Sequence, residues 1–136
     1  MPTSGERVVA DERFRGGRVV MTSLIPDVSS PCAYGGSGWV NEFDAITGNR
    51  LDTPTFDTNA DNTLSSGDNL AFSGYGPGTL NTSGRRIDSI PAAPGFMGNG
   101  PGTEDKYINT SDGNLVRVGE TAGKGGEGRV MWREVK

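Results

Sequence analysis

Residues 57–68 read Asp-Thr-Asn-Ala-Asp-Asn-Thr-Leu-Ser-Ser-Gly-Asp. Oxygen-bearing side chains stand at alternate positions, Asp57, Asn59, Asp61, Thr63 and Ser65, and again at Asp68. With Asp57 as the first position, these fall on the first, third, fifth, seventh, ninth and last positions of an EF-hand-type loop. Calcium takes six to eight oxygen ligands at ~2.3–2.6 Å, and a tightly curled loop brings alternate side chains to one point. Thr63 would lend its backbone carbonyl, and Ser65 would bind directly or through water. Leu64 is the apolar anchor of such a loop. Asn62 stands where glycine is usual, and asparagine tolerates the left-handed backbone conformation better than most residues. Asp68 stands where glutamate is usual and has the shorter reach. Pro54 before the loop and Gly67, Gly74, Gly76 and Pro77 at its end and beyond are wrong for a helix on either side. The expectation is therefore a Ca2+ loop inserted between strands, with Asp57, Asn59, Asp61, Thr63, Ser65 and Asp68 as the metal set.

The rest of the chain excludes other chemistry. None of its 136 residues is histidine. A Ser-His-Asp apparatus and a His-ligated metal cannot be assembled from it. Cys32 is the single cysteine, so no disulfide closes within the chain, and any partner for it lies outside. A net charge of −4 argues against binding a nucleic-acid backbone. Apolar runs are too short for a membrane span, and the first residues have no signal-peptide character. Outside the loop, nothing in the sequence brings two carboxylates together, so no catalytic residues are expected. Asn81-Thr82-Ser83 and Asn109-Thr110-Ser111 fit the glycosylation triplet, which chance supplies easily in this composition.

The elements that must position the loop read as β-strands. Glycine, at 22 residues, has about twice its ordinary share of roughly 7%, and there are 8 prolines. Hydrophobic residues make up only 32%. This is the composition of one turn-rich all-β domain, residues 1–136, with a thin core. Strands are expected around Val8–Asp11 and at Arg18–Ile25, Trp39–Ala45, Arg85–Ile90, Lys106–Thr110, Asn114–Val118 and Arg129–Val135. Ile46–Asn49 is a turn from which Arg50-Leu51 starts a returning strand. Ser111-Asp112-Gly113 is a hairpin turn, and Pro91–Gly95 cannot be a central strand. Trp39 and Trp132 are expected in the core, and Arg85-Arg86 in solvent.

Three stretches resemble a known family. Gly5–Asp27, GERVVADERFRGGRVVMTSLIPD, Gly36–Leu51, GSGWVNEFDAITGNRL, and Gly128–Lys136, GRVMWREVK, look like segments from the last part of the PilY-type proteins, the type IV pilus tip-associated assembly proteins and adhesins. Ile90–Met97, IPAAPGFM, fits as well. The turn after Trp39–Ala45 also resembles a quinoprotein-type propeller blade, with Phe43 in the place of a leucine. The resemblance implies an antiparallel β-propeller region, of which this length makes about two to three blades. It implies an exported protein at the bacterial cell surface, pilus tip or outer membrane that supports pilus assembly, adhesion and twitching motility. Its partners would be minor pilins or the pilus tip and a host or surface ligand. Two other readings are a fragment of a quinoprotein-type propeller oxidoreductase and a generic carbohydrate-binding β-module. The first needs cofactor contacts from several blades. The second usually shows exposed aromatics, and aromatic residues are 7% here. An incomplete propeller leaves open edges, around Val8-Val9 and Arg129–Val135, that invite pairing with the rest of a longer chain or with a second copy.

Overall fold

The computed structural model describes residues 3–27, 29, 35–72 and 78–123. Cys32, Val130, Trp132 and the expected strand Arg129–Val135 lie outside the described residues. Within them the chain is all-β, with ten short strands and a single 3-10 turn, Ser66–Asp68. The strands are β1 (Arg7–Val8), β2 (Arg13–Arg15), β3 (Arg18–Pro26), β4 (Gly36–Asp44), β5 (Leu70–Phe72), β6 (Gly78–Leu80), β7 (Gly84–Ile87), β8 (Gly95–Gly100), β9 (Thr103–Asn109) and β10 (Leu115–Thr121). All pairs are antiparallel. One sheet runs β1-β3-β4-β7, with β2 also on β3; a second runs β10-β9-β8; β5 and β6 form a separate pair. No sheet closes on itself among the described residues.

Turn chemistry sets the first hairpin. Gly16 and Gly17 both have positive φ, 55° and 79°, and join β2 to β3 by a two-residue turn whose twist matches the strands. The long pair β3–β4 follows in unbroken register from Arg18↔Asp44 to Pro26↔Gly36. Near its far end a Cβ on Gly38 would overlap the Ser23 carbonyl oxygen and the Pro91 ring, so only glycine lets these backbones pass.

The pleat then decides what faces inward. On β3 the inward residues are Arg18, Val20 and Thr22; on β4 they are Gly38, Val40 and Glu42. The second sheet offers Glu104, Lys106 and Ile108 from β9, and Val118 and Glu120 from β10. Val20, Val40, Phe56, Ile87, Ile108 and Val118 form the core, with Phe96 and Val116 packed against it. The same inward face carries the charged residues, so the interior is half apolar and half ionic.

Several elements differ from the sequence expectation. The returning strand at Arg50-Leu51 does not form; β4 takes its second partner from β7. Gly95–Gly100 is a strand that is not among the expected ones, and three of its six residues are glycine. Its backbone is recruited by β9, with a register shift at Gly98/Gly100. Trp39 is only half-buried, because Val40 and Glu42 hold the inward phase of β4. Val8 does lie on an edge, since β1 ends its sheet.

If the two sheets share one core, Ile108→Ala destabilises the whole fold by about 2–5 kcal/mol. Urea unfolding followed by far-UV circular dichroism measures this. A shift well under 1 kcal/mol would mean that the sheets do not close on Ile108.

Candidate functional site

The loop 57–68 begins on the second sheet. Phe56 bridges to Glu120, and the Asp57 N–H donates to the Gly119 carbonyl at 3.2 Å, so this segment covers the free side of β10. Arg85 donates from Nη1 to the Asp57 carbonyl at 3.0 Å. Arg85 is thus a brace for the loop and not a solvated cation; Arg86 is exposed.

Asp57 organises the first half of the loop. Its Oδ1 accepts from the Ala60 N–H at 2.7 Å and its Oδ2 from the Asn62 N–H at 2.9 Å. Ala60 and Asn62 both take φ of +61°. This is the left-handed conformation that alanine normally avoids, and the two backbone hydrogen bonds donated to the buried carboxylate hold it. Asp61 accepts from the Thr63 N–H at 2.7 Å, from the Thr63 hydroxyl and, on Oδ2, from Asn59 Nδ2 at 3.0 Å. The Thr63 bonds, with a lesser share from Asn59, hold Asp61 below the usual carboxylate range. Asp68 is fully buried. It accepts from the Thr58 N–H at 2.7 Å and the Ser65 N–H at 2.9 Å, while Ser65 Oγ accepts from the Gly67 N–H. Leu64 is half-buried and lines a cleft of about 170 Å³ between the loop and β8–β10.

The six expected ligands are therefore gathered into one curled loop, but in three subgroups: Asp57 with its backbone donors, Asn59-Asp61-Thr63 on the exposed rim, and Ser65-Asp68 at the base. Among the described residues, no three His, Cys, Asp or Glu side chains stand together at a spacing that holds a metal ion. The donor set is all oxygen, which suits a hard cation. The left-handed Asn62 is the bend an EF-type loop needs at that position.

A second assembly was not expected. Lys106, from β9, has no exposed side-chain surface, and its Nζ makes direct ion pairs with Glu42 of β4 and Glu120 of β10. Arg18 from β3 reaches Glu42 Oε2 at 3.1 Å and binds the Thr121 carbonyl at 2.7 Å and hydroxyl at 2.8 Å. Arg15 from β2 pairs with the buried Glu104 at 2.5 Å. The Phe56 and Phe96 rings lie 5.0 and 5.5 Å from Nζ. Burial pushes Lys106 down to about 6, and the positive charges of Arg18 and Arg15 add to the fall. Burial pushes Glu42 up to about 7 against the opposing pull of Arg18, with Glu104 adding to the rise. Glu120 Oε2 touches Nζ, and its Oε1 is buried without a hydrogen-bond partner.

Sequence reasoning held that carboxylates meet only in the loop, and the structure corrects this. The signal was the strand phase: Glu42 alternates with Val40, Lys106 with Ile108, and Glu120 with Val118. Hydrophobicity alone favours the opposite face of β4, with Trp39 and Phe43, so the phase was not decidable before pairing was known.

The comparisons agree with the resemblance seen in the sequence. No family model matches the chain, and no solved structure matches it. A type IV pilus biogenesis factor PilY1 homolog from Xylella fastidiosa (strain Temecula1 / ATCC 700964) is 34% identical over 136 residues, which is 96% of this chain. The chain is a relative of the PilY1-type pilus biogenesis factors. A second PilY1 homolog of the same strain is 46% identical over 44 residues, 32% of the chain. The PilY1-type match spans only 10% of the first relative's length and 3% of the second's.

Lys106→Met leaves two buried carboxylates without their common cation and should destabilise the fold by about 3–5 kcal/mol. Adding Glu120→Leu should recover part of that loss, because the uncompensated charge is then gone. Equal unfolding midpoints for wild type and Lys106→Met would show that the cluster contributes nothing.

Proposed function

We propose that this chain is a non-catalytic, calcium-stabilised β-module of a type IV pilus biogenesis factor of the PilY1 type. The observation that carries this reading is the match to a PilY1 homolog along 96% of the chain. Within the parent protein the module forms part of a β-propeller. Four strands of its five-stranded first sheet, β1-β3-β4-β7, run side by side as an antiparallel row of blade size. The parent is exported to the cell surface and pilus tip, where it meets minor pilins and an adhesive ligand and supports assembly, adhesion and twitching. No helix among the described residues is long and apolar enough to cross a membrane.

Calcium enters through the loop. Asp57, Asp61 and Asp68 supply the charge, Asn59 and Ser65 neutral oxygens, and Thr63 its carbonyl. Binding would draw the three subgroups together and relieve the repulsion between their carboxylates. Asp57 is already oriented by Ala60 and Asn62, so most of the rearrangement falls on the exposed Asp61 rim.

Calcium at ~100 times its dissociation constant should add about 2.7 kcal/mol of stability, with magnesium a poor substitute because it resists dehydration. Scanning calorimetry with calcium, magnesium and chelator reads this directly, and isothermal titration of Asp61→Ala should show weakened binding. A melting curve unmoved by calcium, together with equal titrations of wild type and Asp61→Ala, would reject the metal. For the pilus role, excision of the segment from the full-length factor should abolish surface pili in its bacterium. Normal piliation would reject that role while leaving the calcium result standing.

A further inference from the structure

We propose that Lys106 and Glu120 are joined by an intramolecular amide bond, formed by the fold itself with Glu42 as the proton shuttle. The inference starts from the partner count. Glu104 has Arg15, and Glu42 has Arg18. Among the described residues Glu120 has only Lys106, and one of its oxygens is buried with no hydrogen-bond partner there. Condensation of Lys106 with Glu120 removes one positive and one negative charge and leaves both arginine–glutamate pairs intact. It also removes the cost of a fully buried ion pair and converts the stranded carboxylate into an amide.

Placement favours the reaction. Lys106 is opposite Val118 on β10, so Glu120 is its diagonal neighbour on the same inward face. Such neighbours are within reach of long side chains. Glu104 and Glu120 stand directly opposite each other, an arrangement of like charges that a sheet disfavours unless it is neutralised. Phe56 and Phe96 cover the amine and keep water from it. Amide formation from a free amine and a free acid is unfavourable in water. Two groups fixed in contact behave as though each were present at an effective molarity of up to ~10⁵–10⁸ M, which reverses that balance.

The step needs no outside reagent. Proton transfer within the ion pair gives a neutral Lys106 amine and a protonated Glu120, so that neither group carries a buried charge. The Nζ lone pair attacks Glu120 Cδ and a C–N bond forms. Glu42, in contact with Nζ and poised near neutrality, takes a proton from the nitrogen and returns it to the departing hydroxyl. The Cδ–O bond breaks, one water leaves, and Glu42 ends as it began. Nothing is oxidised or reduced, and each chain reacts once.

Intact-mass spectrometry of the natively purified full chain under denaturing conditions tests this, because an ion pair is lost on denaturation and an amide is not. The wild type should be lighter than its sequence mass by one water, with fragment spectra joining Lys106 to Glu120. Glu120→Gln should lose ammonia instead and arrive at the same final mass. Glu42→Gln, shown by circular dichroism to be folded, should keep its full sequence mass. A wild type of full sequence mass overturns the proposal. A Glu120→Gln chain that still loses water overturns the assignment of Glu120, and a Glu42→Gln chain that condenses as fast as wild type removes Glu42 from the mechanism.

Discussion

A lysine with no access to water holds the two larger sheets together. Lys106 comes from the second sheet and reaches Glu42 across the interior, while Arg18 approaches the same glutamate from the first sheet and continues to Thr121 on β10. Charges in such a place are costly to bury one at a time and tolerable only as a complete set. This constrains the register of β3 on β4 and of β9 on β10 together. A slip of one residue in either pair would turn a charge outward and leave its partner unpaired within. Among the described residues, a small apolar core of six buried side chains specifies little by itself; the ionic half of the interior supplies the geometric demand.

The loop 57–68 depends on that interior. Phe56 is buried with its ring near Lys106, and the next residue, Asp57, is the carboxylate that curls the loop. The chain therefore passes from the cluster to the loop in a single residue. Arg85 and the Gly119 carbonyl fix the backbone of Asp57 from two directions. The base of the loop is correspondingly rigid, with Asp68 bonded to Thr58 and Ser65, whereas Asn59, Asp61 and Thr63 bond mainly to one another in solvent. The loop thus holds two buried, backbone-anchored carboxylates, Asp57 and Asp68, and one exposed carboxylate, Asp61, bonded to its rim neighbours.

Among the described residues, the module's strands β1 and β7 end their sheet, and β10 is covered at Phe56 and Asp57. Its internal tie is electrostatic or covalent more than hydrophobic, so its cohesion does not rely on a large core that a chain of this composition cannot build.

The sequence by itself determined the all-β class, the strands centred on Arg18–Ile25, Trp39–Ala45, Lys106–Thr110 and Asn114–Val118, the Gly113 turn, the curled acidic loop and the PilY-type relationship. All but the last rest on local chemistry, namely β-branched runs, glycine turns and alternating oxygen side chains; the last rests on the resemblance of whole segments. Tertiary structure alone decided the rest. Whether Glu42 or Trp39 faces inward depends on which strand β4 pairs with, and its second partner, β7, lies about forty residues downstream. Gly95–Gly100 has no propensity for a strand and becomes one because β9 offers it a ladder. Arg85 reads as a surface cation until the Asp57 carbonyl is placed beside it. The ion cluster joins residues from five strands, β2, β3, β4, β9 and β10, and a carboxylate 64 residues from its lysine leaves no trace in spacing, because contact between them exists only once both sheets have closed.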